Sequence, residues 1–195
     1  MPRVSREQTD KNRQLIEAAS ARLFKERGLN GVSVADIMAS AGLTHGGFYG
    51  HFESKDELAA VACERAFSES DVRWRSLARE DADEQAFVGA LAKHYLSAKQ
   101  RDEPGSGCPA VGLAADVGRE DTAKPVRGAY AQGIKAMLGR LLSFAGPRPS
   151  KKTRQRAIAR LSILVGAVTL ARAVRGDPLS DEILVAVRDY LHDGF

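Results

Sequence analysis

The chain has 195 residues, 44% of them hydrophobic, with 29 Lys and Arg against 25 Asp and Glu and a formal net charge of +4. These are the proportions of a soluble, globular chain with enough length for a sizeable core, and a charge this small does not by itself mark a nucleic-acid binder. Two cysteines, Cys63 and Cys108, make neither a disulfide framework nor a zinc site and point to a reducing cytoplasm. The polar N-terminus carries no apolar targeting segment. The longest apolar run, residues 161–171, falls well short of the roughly 20 residues that span a bilayer, so no membrane partner is expected.

Sustained period-2 alternation is nearly absent and helical spacing dominates, which predicts an all-α chain. A first helix is expected over residues 8–27, ended by Gly28, with Leu15, Ile16, Ala19, Leu23 and Phe24 facing inward. Ser33 caps a short helix over 34–41, with Asp36 at its third position and an apolar side of Ala35, Ile37, Met38 and Ala41. Gly42 stops it, Leu43 turns inward, and Thr44 caps a second short helix over 45–52. Two short helices about a tight turn are the arithmetic of a helix-turn-helix, whose second helix lies in the DNA major groove.

Ser54-Lys55-Asp56-Glu57 is a capping box that opens a long fourth helix, extending through Leu58, Val61, Ala62 and Ala66 towards 74–77. Another helix is expected over 84–99, then a loop at 101–107. Pro109 sits at the first position of a short helix reaching 117, a place where its missing amide costs nothing. A helix from Pro125 to 145 breaks at 146–149; Ser150 caps the next, which runs to 175 and ends at Gly176-Asp177-Pro178; the last covers 180–192.

Charge is unevenly spread. From 123 to 176 there is no Asp or Glu, and Lys151, Lys152, Arg154, Arg156 and Arg160 crowd one helix start. This reads as a solvated face, with a second DNA contact as the alternative.

The run from Gly31 to Leu58 resembles the DNA-binding signature of the TetR/AcrR family of bacterial transcriptional regulators. The resemblance rests on Ser33, Asp36-Ile37, Ala41-Gly42-Leu43-Thr44, Gly46, Phe48-Tyr49, His51-Phe52, Ser54-Lys55 and Leu58. Upstream it adds Ile16, Ala18-Ala19, Leu23-Phe24 and Gly28. It implies a helix-turn-helix domain over 1–53 and an effector-binding and dimerisation domain over 54–195. It further implies a homodimeric regulator, expected to be a repressor, that binds a near-palindromic duplex operator and leaves it when a small hydrophobic effector binds. In the family, positions matching Thr44, His45, Tyr49, His51 and Lys55 face DNA. Ser33, Val34 and Gly46 complete the expected DNA-binding set, with Ser33 and Thr44 offering hydroxyls and amides at helix starts. Gly46, Gly47 and Gly50 each cost about 1 kcal/mol relative to Ala in a helix interior, so this helix is weak and is expected to gain order on DNA. His45 and His51 are spaced i, i+6 and fall on different faces, which argues against a metal; no cofactor is expected.

The apolar and aromatic stock for an effector pocket is Phe67, Trp74, Phe87, Leu91, Tyr95, Tyr130, Ile134 and Met137, with Cys108 beside them. Ile158, Leu161, Val165 and Val168 on one late helix, and Ile183, Val187 and Leu191 on the next, are the dimer candidates, either buried in their own core or paired as the four-helix bundle the resemblance implies. Cys108 precedes Pro109 at a helix start, where a thiolate can be favoured, and its Gly-Cys-Pro segment resembles one found in a subset of the family; the preferred reading is nonetheless a small, partly buried cap residue without reactivity. The alternative function is therefore a thiol-based redox or electrophile sensor, or a thiol enzyme, acting through Cys108. No catalytic constellation of recognised spacing supports it, and the chain is read as a non-enzyme.

Overall fold

The structure, a computed structural model, describes residues 5–77 and 83–192; the expected domain bounds also take in 1–4, 78–82 and 193–195, which lie outside the described residues. All regular structure in the described residues is helical. The order is α1 (Arg6–Arg27), α2 (Val34–Ser40), a 3-10 helix (His45–Gly50), α3 (Lys55–Leu77), α4 (Glu84–Tyr95), α5 (Ala98–Asp102), α6 (Pro109–Gly112), α7 (Ala114–Arg119), α8 (Pro125–Leu142) closed by a 3-10 turn (Ser143–Ala145), α9 (Lys151–Ala173) and α10 (Leu179–His192).

The predicted caps at Ser33 and Ser54 form. The Ser33 hydroxyl accepts from the Asp36 amide at 3.1 Å, and the Asp36 carboxylate accepts from the Ser33 amide at 2.9 Å, closing the box at α2. These bonds, with the Ser33 hydroxyl donating to the same carboxylate, hold Asp36 below the usual carboxylate range. At α3 the Ser54 hydroxyl takes the Glu57 amide at 3.1 Å, while the Glu57 carboxylate reaches back to the amide of Glu53, one residue beyond the expected partner. Gly28 and Gly42 both adopt positive φ, the second making the turn of the helix-turn-helix.

Three expected helices are interrupted. The helix expected over 84–99 breaks after Tyr95: Leu96 is fully buried and leaves helical geometry, and the Ser97 hydroxyl caps α5 from the Gln100 amide, so 101–102 belong to a helix rather than a loop. The helix expected from Pro109 to 117 divides at Leu113, whose side chain is buried. The helix expected to reach 145 tightens to 3-10 for its last turn. Leu15, expected inward, is 49% exposed, and Ala35 is exposed; a neighbouring residue on each helix, Ile16 and Ile37, takes the buried place.

One hydrophobic cluster runs from Ile16 to Leu191 without a break at the expected domain boundary. The helix that joins the two halves, α3, packs on α1 and along α8. Its inner residues include Ala59, Ala62, Cys63 and Ala66, small enough for neighbouring helices to come close. At Gly133 of α8 the approach is closest: an added methyl would lie 2.2 Å from the Phe67 ring, well inside contact distance. α9 packs on α8, and α10 on α9 and α4.

Gly133→Ala should therefore force α3 and α8 apart. We expect a loss of about 2 kcal/mol, within the range for overpacked cores, seen as a fall of roughly 4–8 °C in melting temperature. An unchanged melting temperature would mean that Phe67 rotates away freely.

Candidate nucleic-acid interface

The segment 33–55 presents α2 and the 3-10 helix as adjacent elements. Its second element is not the α-helix over 45–52 that its spacing suggests. It is a 3-10 helix of six residues, and the Thr44 hydroxyl makes no capping bond although its backbone is extended as a cap requires. The physical reason lies in the three glycines, which disfavour helix (about 1 kcal/mol each) and supply no side chain to pack.

What holds this segment is burial at its inner side. Phe48 is fully buried and Phe52 nearly so, with ring centroids 5.9 Å apart. Burying two such rings contributes on the order of 2 kcal/mol each, comparable to the glycine penalty. Arg13 of α1 adds a second hold. Its guanidinium lies 4.2 Å from the centre of the Phe52 ring and donates to the His51 carbonyl, while Glu17 at 3.1 Å and Glu57 at 3.7 Å balance its charge. Sequence reading did not single out Arg13 for this role, because 38 residues separate it from His51.

On the outer side the expected contact residues stand in solvent. Tyr49 is 71% exposed, its ring edge-on to Phe48 at 5.2 Å. Ser33, Thr44, His45 and Gly46 are exposed; Val34, His51 and Lys55 are half-buried. A methyl added at Gly46 or Gly50 would meet nothing within 4 Å, and at Gly47 the Met38 methyl at 3.5 Å and the Thr44 hydroxyl at 3.9 Å, both ordinary contacts, so packing does not demand these glycines. They leave bare backbone facing outward.

Behind this surface, the expected effector residues form solid core. Phe67, Trp74, Phe87, Leu91, Tyr95, Cys108 and Met137 are buried, with Tyr130 and Ile134 packed against them. Trp74 meets Tyr95 edge-on at 6.2 Å and Phe67 meets Tyr130 at 5.5 Å. Of this set only Phe67 borders a described cleft, a groove of about 250 Å³ between α3 and α8. The aromatic spacing marked burial rather than a ready-made pocket.

The dimer candidates divide. Ile158 is 45% exposed, and Val165, Ile183 and Val187 are half-buried. Leu161, Val168 and Leu191 are turned into the chain's own core and are not available to a partner, a correction to the expected set. Outside that set, Leu170, Leu179, Val185 and Tyr190 are further large hydrophobic side chains these helices leave exposed.

Cys108 occupies the predicted start of α6, but its thiol is 3% exposed and makes no cap. Burial pushes it above the ordinary thiol range, outweighing the Tyr95 hydroxyl and the amides of Ala110 and Val111. A thiolate at this helix start is therefore not favoured: α6 is four residues long and the desolvation of a buried charge is the larger effect. Cys63 is likewise buried and pushed up to about 12. Among the described residues no group of three His, Cys, Asp or Glu is placed to hold a metal.

An exposed turn carried by a short capped helix, set on an all-helical body, defines a helix-turn-helix protein. Residues 16–62 match the family described as "Bacterial regulatory proteins, tetR family". The HTH-type transcriptional regulator TtgR of Pseudomonas putida is 33% identical over 96 residues, 49% of this chain and 45% of that protein. The HTH-type transcriptional repressor DhaR of a Mycobacterium species is 33% identical over 49% of this chain and 47% of its own. The chain thus spans about half the length of the curated relatives it matches. The crystal structure of Escherichia coli NemR in its reduced form superposes with a TM-score of 0.77 at 22% identity, covering 93% of this chain and 95% of that one, a likeness of fold. Over residues 16–62 the chain is thus similar to the TetR family of bacterial regulatory proteins.

Two measurements check this geometry. Arg13→Ala should lower amide-exchange protection at residues 45–52 about tenfold, with a loss of roughly 1–2 kcal/mol in stability. An aromatic disulfide reagent should find both thiols silent in the native chain, reacting at least about tenfold more slowly than a free cysteine, and both available once it unfolds. A fast native phase would restore Cys108 as a reactive centre.

Proposed function

We propose that the protein is a homodimeric DNA-binding repressor, acting in the cytoplasm, that reads a near-palindromic operator and is released from it by a small, largely apolar effector. The observation that carries this reading is the outward face of the helix-turn-helix. Tyr49 stands exposed beside bare glycine backbone while Phe48 and Phe52 anchor the opposite side. On this reading the Ser33 and Thr44 hydroxyls and the amides at the starts of α2 and the 3-10 helix take phosphates. Lys55, at the start of α3, supplies a phosphate contact at the flank. His45 and Tyr49 are the base-reading candidates, and Gly46 and Gly50 let the backbone come close to the groove.

The apolar side chains left on the last two helices support a two-fold pairing. Ile158, Val165 and Leu170 on α9, with Ile183, Val185 and Val187 on α10, are apolar surface that a second copy would cover. Two helix-turn-helix units so paired would meet half-sites about one helical turn apart. Release then requires the effector to bind more tightly to a conformer with the wrong spacing.

The test is selection from random duplex DNA by the purified protein at moderate, stated salt, since phosphate affinity falls steeply with ionic strength. A palindrome is expected. Lys55→Glu should weaken binding to it at least about tenfold and lower the salt dependence by about one charge. Recovery of no common sequence, or binding untouched by the charge reversal, would sink the reading.

A further inference from the structure

A cleft of about 410 Å³ opens where the C-terminal end of α1 meets the body. Its wall carries Lys25 and Glu26 from α1, Arg101 from α5, and Arg172 and Arg175 from the end of α9. Two of these charges are balanced elsewhere. Glu26 pairs with Arg22 at 2.9 Å, and Arg101 with Asp102 at 2.8 Å and Asp181 at 2.5 Å. The other three cations form no ion pair among the described residues. Lys25, only 5% exposed, has one hydrogen bond, to the Gly107 carbonyl at 3.4 Å. Arg172 is half-buried and donates to the carbonyls of Gln100 at 2.6 Å and Arg101 at 3.2 Å. Arg175 is exposed.

Neutral carbonyls satisfy some donors, and Glu69 and Glu26 offset the Lys25 charge without forming an ion pair with it; buried charge held this way is retained at a cost that an arriving anion would lower. Burial accordingly holds both Lys25 and Arg172 below their ordinary ranges, with Arg73 adding to the effect on Lys25. The remaining wall is apolar or small: Pro104, Val111 and Ala173, with Thr169. A volume of this size suits a small ligand.

We propose that this junction cleft binds a small organic carboxylate, its anionic head between Lys25 and Arg172 with Arg175 at the mouth and its apolar part against Pro104, Val111 and Ala173. One cation belongs to the DNA-binding half and two to the body, so a bound anion ties the halves together. The tie reaches the helix-turn-helix directly. Just beyond α1 the Leu29 amide donates to Asp116 at 3.2 Å and the Asn30 side chain to Glu120 at 3.2 Å, so the body already grips the segment that leads into α2. The site deepens the effector-controlled reading and rests on it for its regulatory role, while binding itself can be measured without DNA.

The experiment is calorimetry and thermal denaturation of the full chain with sodium benzoate and, separately, inorganic phosphate, each against sodium chloride at equal ionic strength. Benzoate is expected to bind and, near saturation, to raise the melting temperature by about 3 °C. Lys25→Met, which exchanges an uncompensated buried cation for an apolar side chain of similar length, should fold and lose at least tenfold in affinity. Arg175→Gln, at an exposed position, should lose about threefold. Phosphate binding as strong as benzoate would place recognition in the anionic head and extend the class to phosphate esters. No binding of either anion, or benzoate affinity unchanged in both variants, would overturn the site. Benzoate binding that leaves operator affinity unchanged would overturn the coupling alone. Benzoate binding by a protein that selects no DNA sequence would leave the site standing and remove the repressor reading.

Discussion

The structure turns on α3 having to serve two masters. Its inner residues Leu58, Ala59, Ala62, Cys63 and Ala66 are buried in one cluster that includes the DNA-binding half at one end and the α8 side of the body at the other. Close packing of this kind resists continuous deformation. The helix-turn-helix can change its position relative to the body only by a discrete slide or tilt of α3 that repacks both contacts at once. Near the start of α3 the body has a polar hold as well, through the ion pair of Lys124 with Asp56, next to Lys55. Near the end of α1 it has the hydrogen bonds from Leu29 and Asn30. A displacement in the body therefore reaches the DNA-binding half along two routes, neither of which requires the short recognition turn itself to deform.

That turn is poor at holding itself. Its conformation is not stabilised by intrinsic propensity, since three of its six residues are glycine. It is held from outside, by Phe48 and Phe52 in the core and by Arg13 across the ring of Phe52. The division of labour is economical in side chains: the inner side fixes the segment and the outer side is left thin. On the proposed reading, a thin outer face would trade side-chain contacts for close backbone approach and favour phosphates and groove shape over base edges.

Local chemistry explains how much could be read in advance. The box at Ser33, the cap at Ser54, the stops at Gly28 and Gly42, and the start at Pro109 each depend on residues within four positions of one another, and all form. The breaks at Leu96 and Leu113 do not depend on local preference. Each is a leucine whose burial in the assembled core outweighs continuation of a helix that the sequence would tolerate. The same limit applies to surfaces. Periodicity reports that Leu161, Val168 and Leu191 face something apolar, but not whether it is this chain or another. It likewise could not separate a pocket from a filled core among Phe67, Trp74, Tyr95 and Met137. Arg13 and Lys25 escaped notice because a charged residue on an amphipathic helix has no local mark of a partner 38 or 82 positions away.

Lys25 shows what such a distant pairing implies. A lysine on the buried side of α1 is a poor choice for stability, since an apolar side chain of the same volume would pack without desolvating a charge. Its one bond to a neutral carbonyl at 3.4 Å is too long to offset that cost. Arg172 stands in the same position across the cleft: its bonds to the α5 carbonyls give it a fixed geometry but no counter-charge. Two cations in one cleft, one from each half of the molecule, would attract a common anion. On the proposed reading, an anion bound there would tie the two halves together. It acts at the end of α1, close to the segment leading into α2, and it needs no cavity in the densely filled core.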